Sequence, residues 1–231
     1  MYKDHEQLNN ISDDITLWKY MDFLKFVNML TSNSIWFNRI DSFEDVYEGV
    51  FPHANEDKRD EYYEEGAPPK GIYDTIQKYT RERLFVSCMH NSEYESAAMW
   101  SLYAKDCGIA IKTTGKRLKE SFSNESKNIV ISHVSYIDYD CDFMPEGNAF
   151  YLGTHKRKSF EHEKEVRCMY MNQVDSTLPK GIYINVDIPT LIKEIYISPT
   201  ACPYMKQTIE DLLLKFSLDI PVIQSPLYSI N

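Results

Sequence analysis

Residues 156–171 read Lys-Arg-Lys-Ser-Phe-Glu-His-Glu-Lys-Glu-Val-Arg-Cys-Met-Tyr-Met, and this stretch is the most informative part of the chain. From residue 163 onward, charged and apolar side chains alternate, which predicts a half-buried β-strand over residues 163–171. Successive side chains of a strand point to opposite faces. One face then carries Glu163, Glu165, Arg167 and Met169. The other carries Lys164, Val166, Cys168 and Tyr170, of which we expect Val166 and Tyr170 in the core.

Two interpretations of the charged face stay open. Glu163 and Glu165 would lie about 6.6 Å apart along the strand, a spacing that lets two carboxyl groups orient a hydroxyl-bearing ligand or share acid–base work in a cleft. Alternatively, the face is an ionic ladder in which Arg167 pairs with Glu165 and with an acid on a neighbouring strand. The first interpretation makes Glu165 and Glu163 candidate catalytic residues, with Arg167, Lys156 and Arg157 as candidate ligand-binding residues.

Helix and strand patterns alternate along the rest of the chain. Strands are predicted near residues 35–37, 84–88, 108–112, 128–138, 163–171, 182–187, 194–198 and 221–224. Helices are predicted after Asp22, near 71–82, from Ser92 to Tyr103, near 148–158 and after Thr200. Because helices separate only some of the strands, the predicted fold class is α+β, with a mixed or antiparallel curved sheet of about eight strands and about five helices. We expect a single domain over residues 1–231.

An acidic segment interrupts this alternation at about residues 44–69. Nine acidic residues stand against Lys58 and Arg59 in residues 44–65, and Gly66, Pro68 and Pro69 follow. Charge runs of this kind are usually solvated, so the segment predicts a surface insertion, with a mobile lid as the alternative.

Composition and charge exclude several classes of protein. The chain has 35 acidic and 25 basic residues, a net charge of −10, whereas general duplex-DNA binders present a basic surface. Its 8 glycines form neither GxGxxG nor GxxxxGK[ST], which sets aside the dinucleotide fingerprint and the P-loop. No apolar run approaches the length of a membrane span, and the polar N-terminus is unlike a signal peptide. The 5 scattered cysteines fit free thiols, so we expect a cytoplasmic protein.

Two smaller clusters add candidate ligand-binding residues. Asp45 and Glu48 follow a predicted strand, where one interpretation gives them a ligand contact; the alternative is structural, with Asp41 closing a turn and Asp45 capping a helical turn. Trp100 and Tyr103 lie three positions apart on a predicted helix, a spacing that is typical of a core stripe and also allows a ligand contact. Cys88-x-His90 has no second Cys/His pair at structural-zinc spacing, so no metal site is predicted there.

Several of these motifs, in order, resemble a bacterial family known as domain of unknown function 2971. They are Leu17-Trp-Lys-Tyr20, Ile35-Trp-Phe, Asp41-Ser-Phe-Glu-Asp45-x-x-Glu48, Met99-Trp100-x-x-Tyr103 with Gly108-Ile-Ala-Ile111, and Lys156-Arg157 to Glu163-x-Glu165-x-Arg167. The resemblance covers about residues 16–225. The family usually has a proline in the turn where this chain has Val46, while Asp45 and Glu48 match.

The layout of the first 40 residues and of Glu163-Lys-Glu165 is also similar to ADP-ribosyltransferases. That resemblance implies that Glu165 holds the ribose 2′-hydroxyl of NAD and stabilises the positive charge that develops as nicotinamide leaves. It also implies that rings such as Trp36 or Tyr103 stack on the base. Lys19 stands where those enzymes place His or Arg.

The leading hypothesis is therefore a nucleotide-handling, ADP-ribosyltransferase-like enzyme with NAD as co-substrate. A second hypothesis is a hydrolase or nuclease whose divalent ion is held by Asp45, Glu48, Glu163 and Glu165, since hard cations prefer carboxylate oxygens. The third is a non-catalytic module that uses the same charged cleft to bind a nucleotide or a protein.

Overall fold

The computed structural model describes residues 1–63, 69–174 and 177–229. Its strands are β1 (Thr16–Asp22), β2 (Ser34–Arg39), β3 (Leu84–Asn91), β4 (Gly108–Thr114), β5 (Val130–His133), β6 (Ser135–Ile137), β7 (His155–Arg157), β8 (Glu165–Met171), β9 (Gly181–Asn185), β10 (Glu194–Ile197) and β11 (Val222–Gln224). Its helices are α1 (Phe23–Ser32), α2 (His53–Tyr62), α3 (Lys70–Arg81), α4 (Ala97–Tyr103), α5 (Gly115–Ser121), α6 (Tyr151–Thr154), α7 (Ile188–Leu191) and α8 (Met205–Lys215). Short 3-10 turns occupy Ile40–Ser42 and Lys158–Glu163.

Nine of these strands form one sheet, and β6 and β7 pair separately in parallel. The main order is β11-β10-β4-β1-β3-β2-β9, and β8 pairs with β3 on one side and with β5 on the other. These pairs are antiparallel except for β10 with β11. The predicted α+β class with a mixed sheet is therefore confirmed, and the described residues contain more helices than predicted.

Strand β3 lies at a split in this sheet. Along one edge it pairs with β8 over seven of its eight residues, from Leu84↔Met171 to His90↔Glu165. Along the other edge β2 pairs with the first half of β3, and β1 with its last two residues. Residues 87–89 face the space between β1 and β2, where Lys19 Nζ donates to Ser87 Oγ at 2.9 Å and to the Cys88 carbonyl at 3.0 Å. The Lys19 ammonium group thus donates hydrogen bonds to the part of β3 that pairs with neither β1 nor β2.

The opening of α1 follows the sequence closely. The Asp22 side chain accepts a hydrogen bond from the Lys25 N–H at 2.8 Å and caps the helix, as predicted. Asn33 ends α1 in the left-handed conformation, with φ 47°. Phe26, Met29 and Leu30 face the largest apolar core, whose strand residues include Leu17, Phe85 and Ile109.

Some predicted boundaries were wrong for local reasons. Helix α4 begins at Ala97, because Ser96 rather than Ser92 accepts the capping hydrogen bond, from the Met99 N–H. The helix predicted near 148–158 is only the four residues of α6, followed directly by β7. Strand β1 and helices α2, α5 and α7 were not predicted; α2 has no continuous apolar stripe, and α5 and α7 have only seven and four residues.

The acidic segment is anchored to the fold by a few buried side chains at its described positions. Glu48, Asn55 and Arg59 are buried. Asn55 exchanges hydrogen bonds with the Met144 backbone, and Arg59 pairs with Glu146 at 2.7 Å. Most of the described acidic side chains of the segment, namely Glu44, Glu56, Asp57, Asp60 and Glu61, are exposed, so these few buried residues anchor an otherwise solvent-facing segment to the body of the fold. Residues 64–68 of the predicted insertion lie outside the described residues.

No helix in the described ranges is both long and apolar enough to cross a membrane.

Candidate functional site

Five charged side chains from four separate parts of the chain meet beside the first half of β8. They are Glu48, Lys156, Glu163, Glu165 and Arg167, and all five are buried. We refer to them as the ionic cluster. Burying a charge is costly unless opposite charges and hydrogen bonds compensate it, so the contacts within the ionic cluster decide its properties.

Strand β8 supplies Glu165 and Arg167, which share a face as the alternating pattern predicted. The Arg167 guanidinium donates from Nε to Glu165 Oε2 at 2.5 Å and from both terminal nitrogens to Glu48, at 2.8 and 2.7 Å. It also donates to the Gly153 carbonyl at 3.1 Å. Arg167 is fully buried rather than lining a cleft, and it pairs with Glu165 as in the ionic-ladder interpretation, although its second acid, Glu48, comes from a loop and not from a neighbouring strand. These hydrogen bonds replace those it would make to water.

Glu48 reaches the cluster from the loop that follows β2. The Asp45 side chain and carbonyl accept hydrogen bonds from the N–H groups of Tyr47 and Glu48, which folds the loop into a turn. Gly49 then takes φ 73°, a conformation that favours glycine. This geometry directs the Glu48 carboxylate inward, where it binds Arg167 through both oxygens.

Lys156 connects all three acids of the cluster. Its Nζ lies 2.5 Å from Glu163 Oε2, 2.7 Å from Glu165 Oε1 and 3.3 Å from Glu48 Oε1. It comes from β7, which is held by β6 rather than by the main sheet. Opposing carboxylates outweigh the cost of burial and raise the pKa of the Lys156 ammonium, so the cation is retained.

Glu163 does not lie on the strand as predicted. It ends the 3-10 turn Lys158–Glu163, and Lys164 adopts φ 42° before β8 begins at Glu165. The left-handed backbone of Lys164 turns the chain between Glu163 and Glu165. The two carboxylates therefore do not follow the alternation expected of one continuous strand. Glu163 nevertheless reaches the cluster, where Oε1 accepts a hydrogen bond from the Tyr103 hydroxyl at 2.7 Å.

The two neighbouring carboxyl groups differ in protonation. Burial and a hydrogen bond with Glu165 raise the pKa of Glu163. Burial also opposes ionisation of Glu165, but Arg167, the hydrogen bond from Glu163 and Lys156 outweigh it and hold the pKa of Glu165 well below its usual range. Three carboxyl groups face two cations, so one proton on Glu163 leaves the ionic cluster electrically neutral.

The cluster has an inner and an outer part. The side chains of Glu48 and Arg167 are 1% and 0% exposed, whereas those of Lys156, Glu163 and Glu165 retain slight exposure. A shallow depression of about 270 Å³ opens beside Glu165 and is also lined by Asn91, His133, Tyr136 and Lys164. Tyr103 is half-exposed and contacts Glu163, so it lies beside the outer part of the cluster.

Arg157 and Asp45 form a second, adjacent pair. Arg157 donates to Asp45 Oδ1 at 2.8 Å, and its guanidinium lies 4.3 Å from the centre of the Tyr47 ring. The pair sits one residue from Lys156 and three from Glu48, but no contact of either side chain with the five cluster residues is observed among the described residues. It therefore borders the candidate site rather than forming part of it.

Two predicted ligand-binding aromatics lie elsewhere. Trp100 is buried among Trp18, Tyr20 and Met99, and its indole donates to Glu95, so it is a core residue. Trp36 is exposed on β2, packs edge-on against Tyr183 and donates to Asn38. Neither ring lies at the ionic cluster, so the structure does not bring these two candidate ligand-binding residues together with Glu163 and Glu165. The helix periodicity that suggested Trp100 reports its buried face.

Two residues that contact the cluster, Tyr136 and His90, were not among the predicted site residues. The Tyr136 hydroxyl accepts a hydrogen bond from the Glu165 N–H at 2.7 Å, and His90 Nδ1 lies 2.6 Å from the Glu163 carbonyl oxygen. His90 is directly opposite Glu165 in the β3–β8 register. In the sequence, His90 directly follows the predicted strand 84–88, which could have marked it as a candidate. Its position opposite Glu165 is identified only by the pairing of β3 with β8.

The carboxylates are engaged with cationic side chains rather than grouped for a metal. Among the described residues, no three His, Cys, Asp or Glu side chains are placed to hold an ion. Asp45 pairs with Arg157, and the acids of the cluster pair with Lys156 and Arg167. This arrangement gives no support to the divalent-ion hypothesis.

Comparisons of the chain with protein-family models, curated proteins and solved structures found no match. The resemblance to the family known as domain of unknown function 2971 therefore stays a prediction.

Proposed function

We propose that the chain is a ribosyl-transferring enzyme of ADP-ribosyltransferase-like chemistry, with NAD as co-substrate. The observation that carries the proposal is the paired carboxyl groups of Glu163 and Glu165, which share one ammonium group at 2.5 and 2.7 Å beside an open depression. Two neighbouring carboxyl groups with divergent pKa values are typical of sites that separate an electrostatic role from a proton-transfer role.

In this proposal Glu165 stabilises positive charge on the ribose as nicotinamide departs. A carboxylate whose pKa is lowered stays ionised, and a fixed negative charge is most effective where water is largely excluded. Arg167 holds one Glu165 oxygen and Lys156 the other, so the carboxylate is oriented before substrate binds. The inner pair of Glu48 and Arg167 is thus the support of the catalytic group.

Glu163 orients the attacking nucleophile. Its raised pKa favours the protonated carboxyl group, which holds the proton shared with Glu165 and presents a hydrogen-bonding group to the acceptor. The Tyr103 hydroxyl and Lys156 fix its two oxygens. Lys164 and His133, on the rim of the depression, supply polar groups for the phosphates of the nucleotide.

The test is release of nicotinamide from NAD by the purified chain with a cell lysate as the source of acceptor, in the presence of chelator. We expect Glu165→Gln to slow release at least about tenfold, equivalent to about 1.4 kcal/mol of barrier. Glu163→Gln should also slow it while preserving the fold, because an amide resembles a protonated carboxyl group. Glu210→Gln, in a surface pair with Lys206 on α8, is the matched control.

The alternatives predict different outcomes. Saturable NAD binding without turnover would favour the binding module. Chelator-sensitive phosphodiester hydrolysis would favour the metal-dependent hydrolase. Absence of both NAD binding and turnover at millimolar concentration would overturn the transferase proposal. A Glu165→Gln variant with normal turnover and a lower Tm would assign the cluster a structural role only.

A further inference from the structure

Strand β6 brings the hydroxyl group of Tyr136 to Glu165. It pairs in parallel with β7, and Tyr136 lies opposite Lys156 in that register. Side chains opposite each other in paired strands project to the same face, and both of these reach Glu165. Lys156 Nζ donates to its carboxylate at 2.7 Å, and the Tyr136 hydroxyl accepts from its backbone N–H, also at 2.7 Å. The small β6–β7 sheet therefore presents one polar group to the side chain of Glu165 and one to its backbone.

The backbone that carries Tyr136 is fastened to the main sheet. Strand β5 pairs with β8 along all four of its residues. Directly after β5, the Val134 N–H donates to the Glu165 carbonyl at 3.0 Å. The segment 134–136 thus binds both the carbonyl and the N–H of Glu165. The position of the Tyr136 hydroxyl relative to Glu165 is therefore set by the fold before a ligand arrives.

The hydroxyl proton of Tyr136 has no acceptor in the part of the chain that the structure describes. A phenol oxygen both accepts and donates hydrogen bonds, and here the Glu165 N–H takes the accepting side. Burial and the negative charge of Glu165 raise the pKa of Tyr136, so the proton is retained. Tyr136 and Glu165 both line the depression of about 270 Å³. A ligand bound there meets a hydrogen-bond donor that the protein leaves unused.

We propose that Tyr136 is a substrate-binding residue whose hydroxyl donates a hydrogen bond to the 3′-hydroxyl oxygen of the ribose that Glu165 binds. This inference rests on the proposed function, in which Glu165 holds the 2′-hydroxyl of that ribose. The two hydroxyl groups are on adjacent carbons, and the two protein groups are held by the side chain and the backbone of one residue. Tyr136 then makes the site specific for a ribose that carries both hydroxyl groups.

The other polar side chains of the depression are placed less well for this contact. Glu161 and Lys164 are exposed at its rim. Asn91 and His133 are half-buried, but among the described residues no hydrogen bond joins either side chain to Glu165. Tyr136 is therefore the residue of this surface whose donor is fixed against the catalytic group.

The experiment measures kcat and KM for nicotinamide release from NAD and from an analogue whose nicotinamide ribose lacks the 3′-hydroxyl. The unaltered chain should lose about tenfold in kcat/KM on the analogue, because one hydrogen bond to the substrate is missing. Tyr136→Phe should lose about tenfold on NAD, mainly through a higher KM, since the contact is made before and during the reaction. The analogue should cost this variant nothing further, because its donor is already gone.

Tyr196→Phe is the matched control. It removes a tyrosine hydroxyl that donates to Glu194 at 3.2 Å, and both of these residues lie on β10. Its kcat and KM should equal those of the unaltered chain on both substrates. The Tm of each variant is measured alongside, because Tyr136→Phe also leaves the Glu165 N–H without its acceptor.

Two results would overturn the inference and leave the proposed function standing. One is equal kcat/KM of the unaltered chain on NAD and on the analogue, a comparison that needs no variant and holds even if Tyr136→Phe fails to fold. The other is a loss of kcat in Tyr136→Phe by the same factor on both substrates, which would assign the hydroxyl only to support of the Glu165 backbone. If the unaltered chain turns over no NAD, the proposed function fails and this inference fails with it.

Discussion

At the scale of single residues, Glu163 has the most unusual environment. It is an acid within hydrogen-bonding distance of another acid, yet its remaining contacts with Lys156 and Tyr103 satisfy both oxygens. Such a group stabilises the fold in its protonated form, because ionisation would add a third negative charge against two positive ones. Protonation of this one residue therefore links stability to pH.

Glu163→Gln should remove that link. The folded-state pKa of Glu163 is raised above 4.5, so its contribution to stability is present at acidic pH and lost as pH rises through the raised value. The variant does not titrate there, so its free energy of unfolding relative to the unaltered chain should increase with pH. Urea unfolding at intervals from about pH 4 to about pH 8 measures this difference. Parallel pH profiles for the two proteins would contradict the charge count.

At the scale of elements, the loop between β2 and α2 is fastened by two contacts of different quality. Glu48 is buried and binds Arg167 through both oxygens, whereas Asp45 binds Arg157, whose side chain is 35% exposed. Buried pairs are costly to break from one side, and exposed pairs contribute about 0–1 kcal/mol. The Glu48 contact should therefore determine how often the loop opens.

Glu48→Gln and Asp45→Asn test this difference as a matched pair of charge removals. In Glu48→Gln, the N–H groups of Glu48 and Val50, which donate to Asp45 and Tyr47 carbonyls, should exchange with deuterium at least about tenfold faster, because loop opening becomes about 1.4 kcal/mol easier. Asp45→Asn should change the rates less, since the amide oxygen can still accept from Tyr47. Equal effects of the two variants would rule out the buried pair as the main fastening.

Individual strands and helices could be predicted from the sequence, whereas contacts between distant residues could not. β8 and α1 were predictable because each has a periodic apolar pattern and α1 has a capping residue, and β3 because of its continuous apolar run. The Glu48–Arg167 contact spans 119 positions, and no local pattern encodes a partner at that distance. Lys164 is similar, because nothing in a period-two pattern marks a left-handed residue between two glutamates.

At the scale of the whole molecule, β3 and β8 form the ladder around which the other strands are arranged. Seven residue pairs join them, from Leu84↔Met171 to His90↔Glu165. Cys88 and Cys168 lie on these two strands, and burial raises the pKa of Cys168 to about 12. These thiols report on whether the central ladder is intact.

In the reduced protein, a thiol reagent should label the exposed Cys107 and Cys141 first. Cys88 and Cys168 should react later and at one common rate, because separating β3 from β8 exposes both. Mass spectrometry of peptides over time, at several urea concentrations, measures the four rates. Labelling of Cys168 as fast as Cys107 would show that the ladder opens locally.

The split beside β3 gives the molecule a direction of mechanical weakness. β1 and β2 each pair with only two residues of β3, and the Lys19 side chain donates hydrogen bonds to the β3 residues between those two runs. A shearing load applied along β1 is then borne by few hydrogen bonds at a time on the β3 side and by seven pairs on the β4 side. Under tension we expect β1 to stay paired with β4 and to separate from β3. The sheet would then divide into a set containing β1 and β4 and a set containing β3 and β8 before either set unfolds.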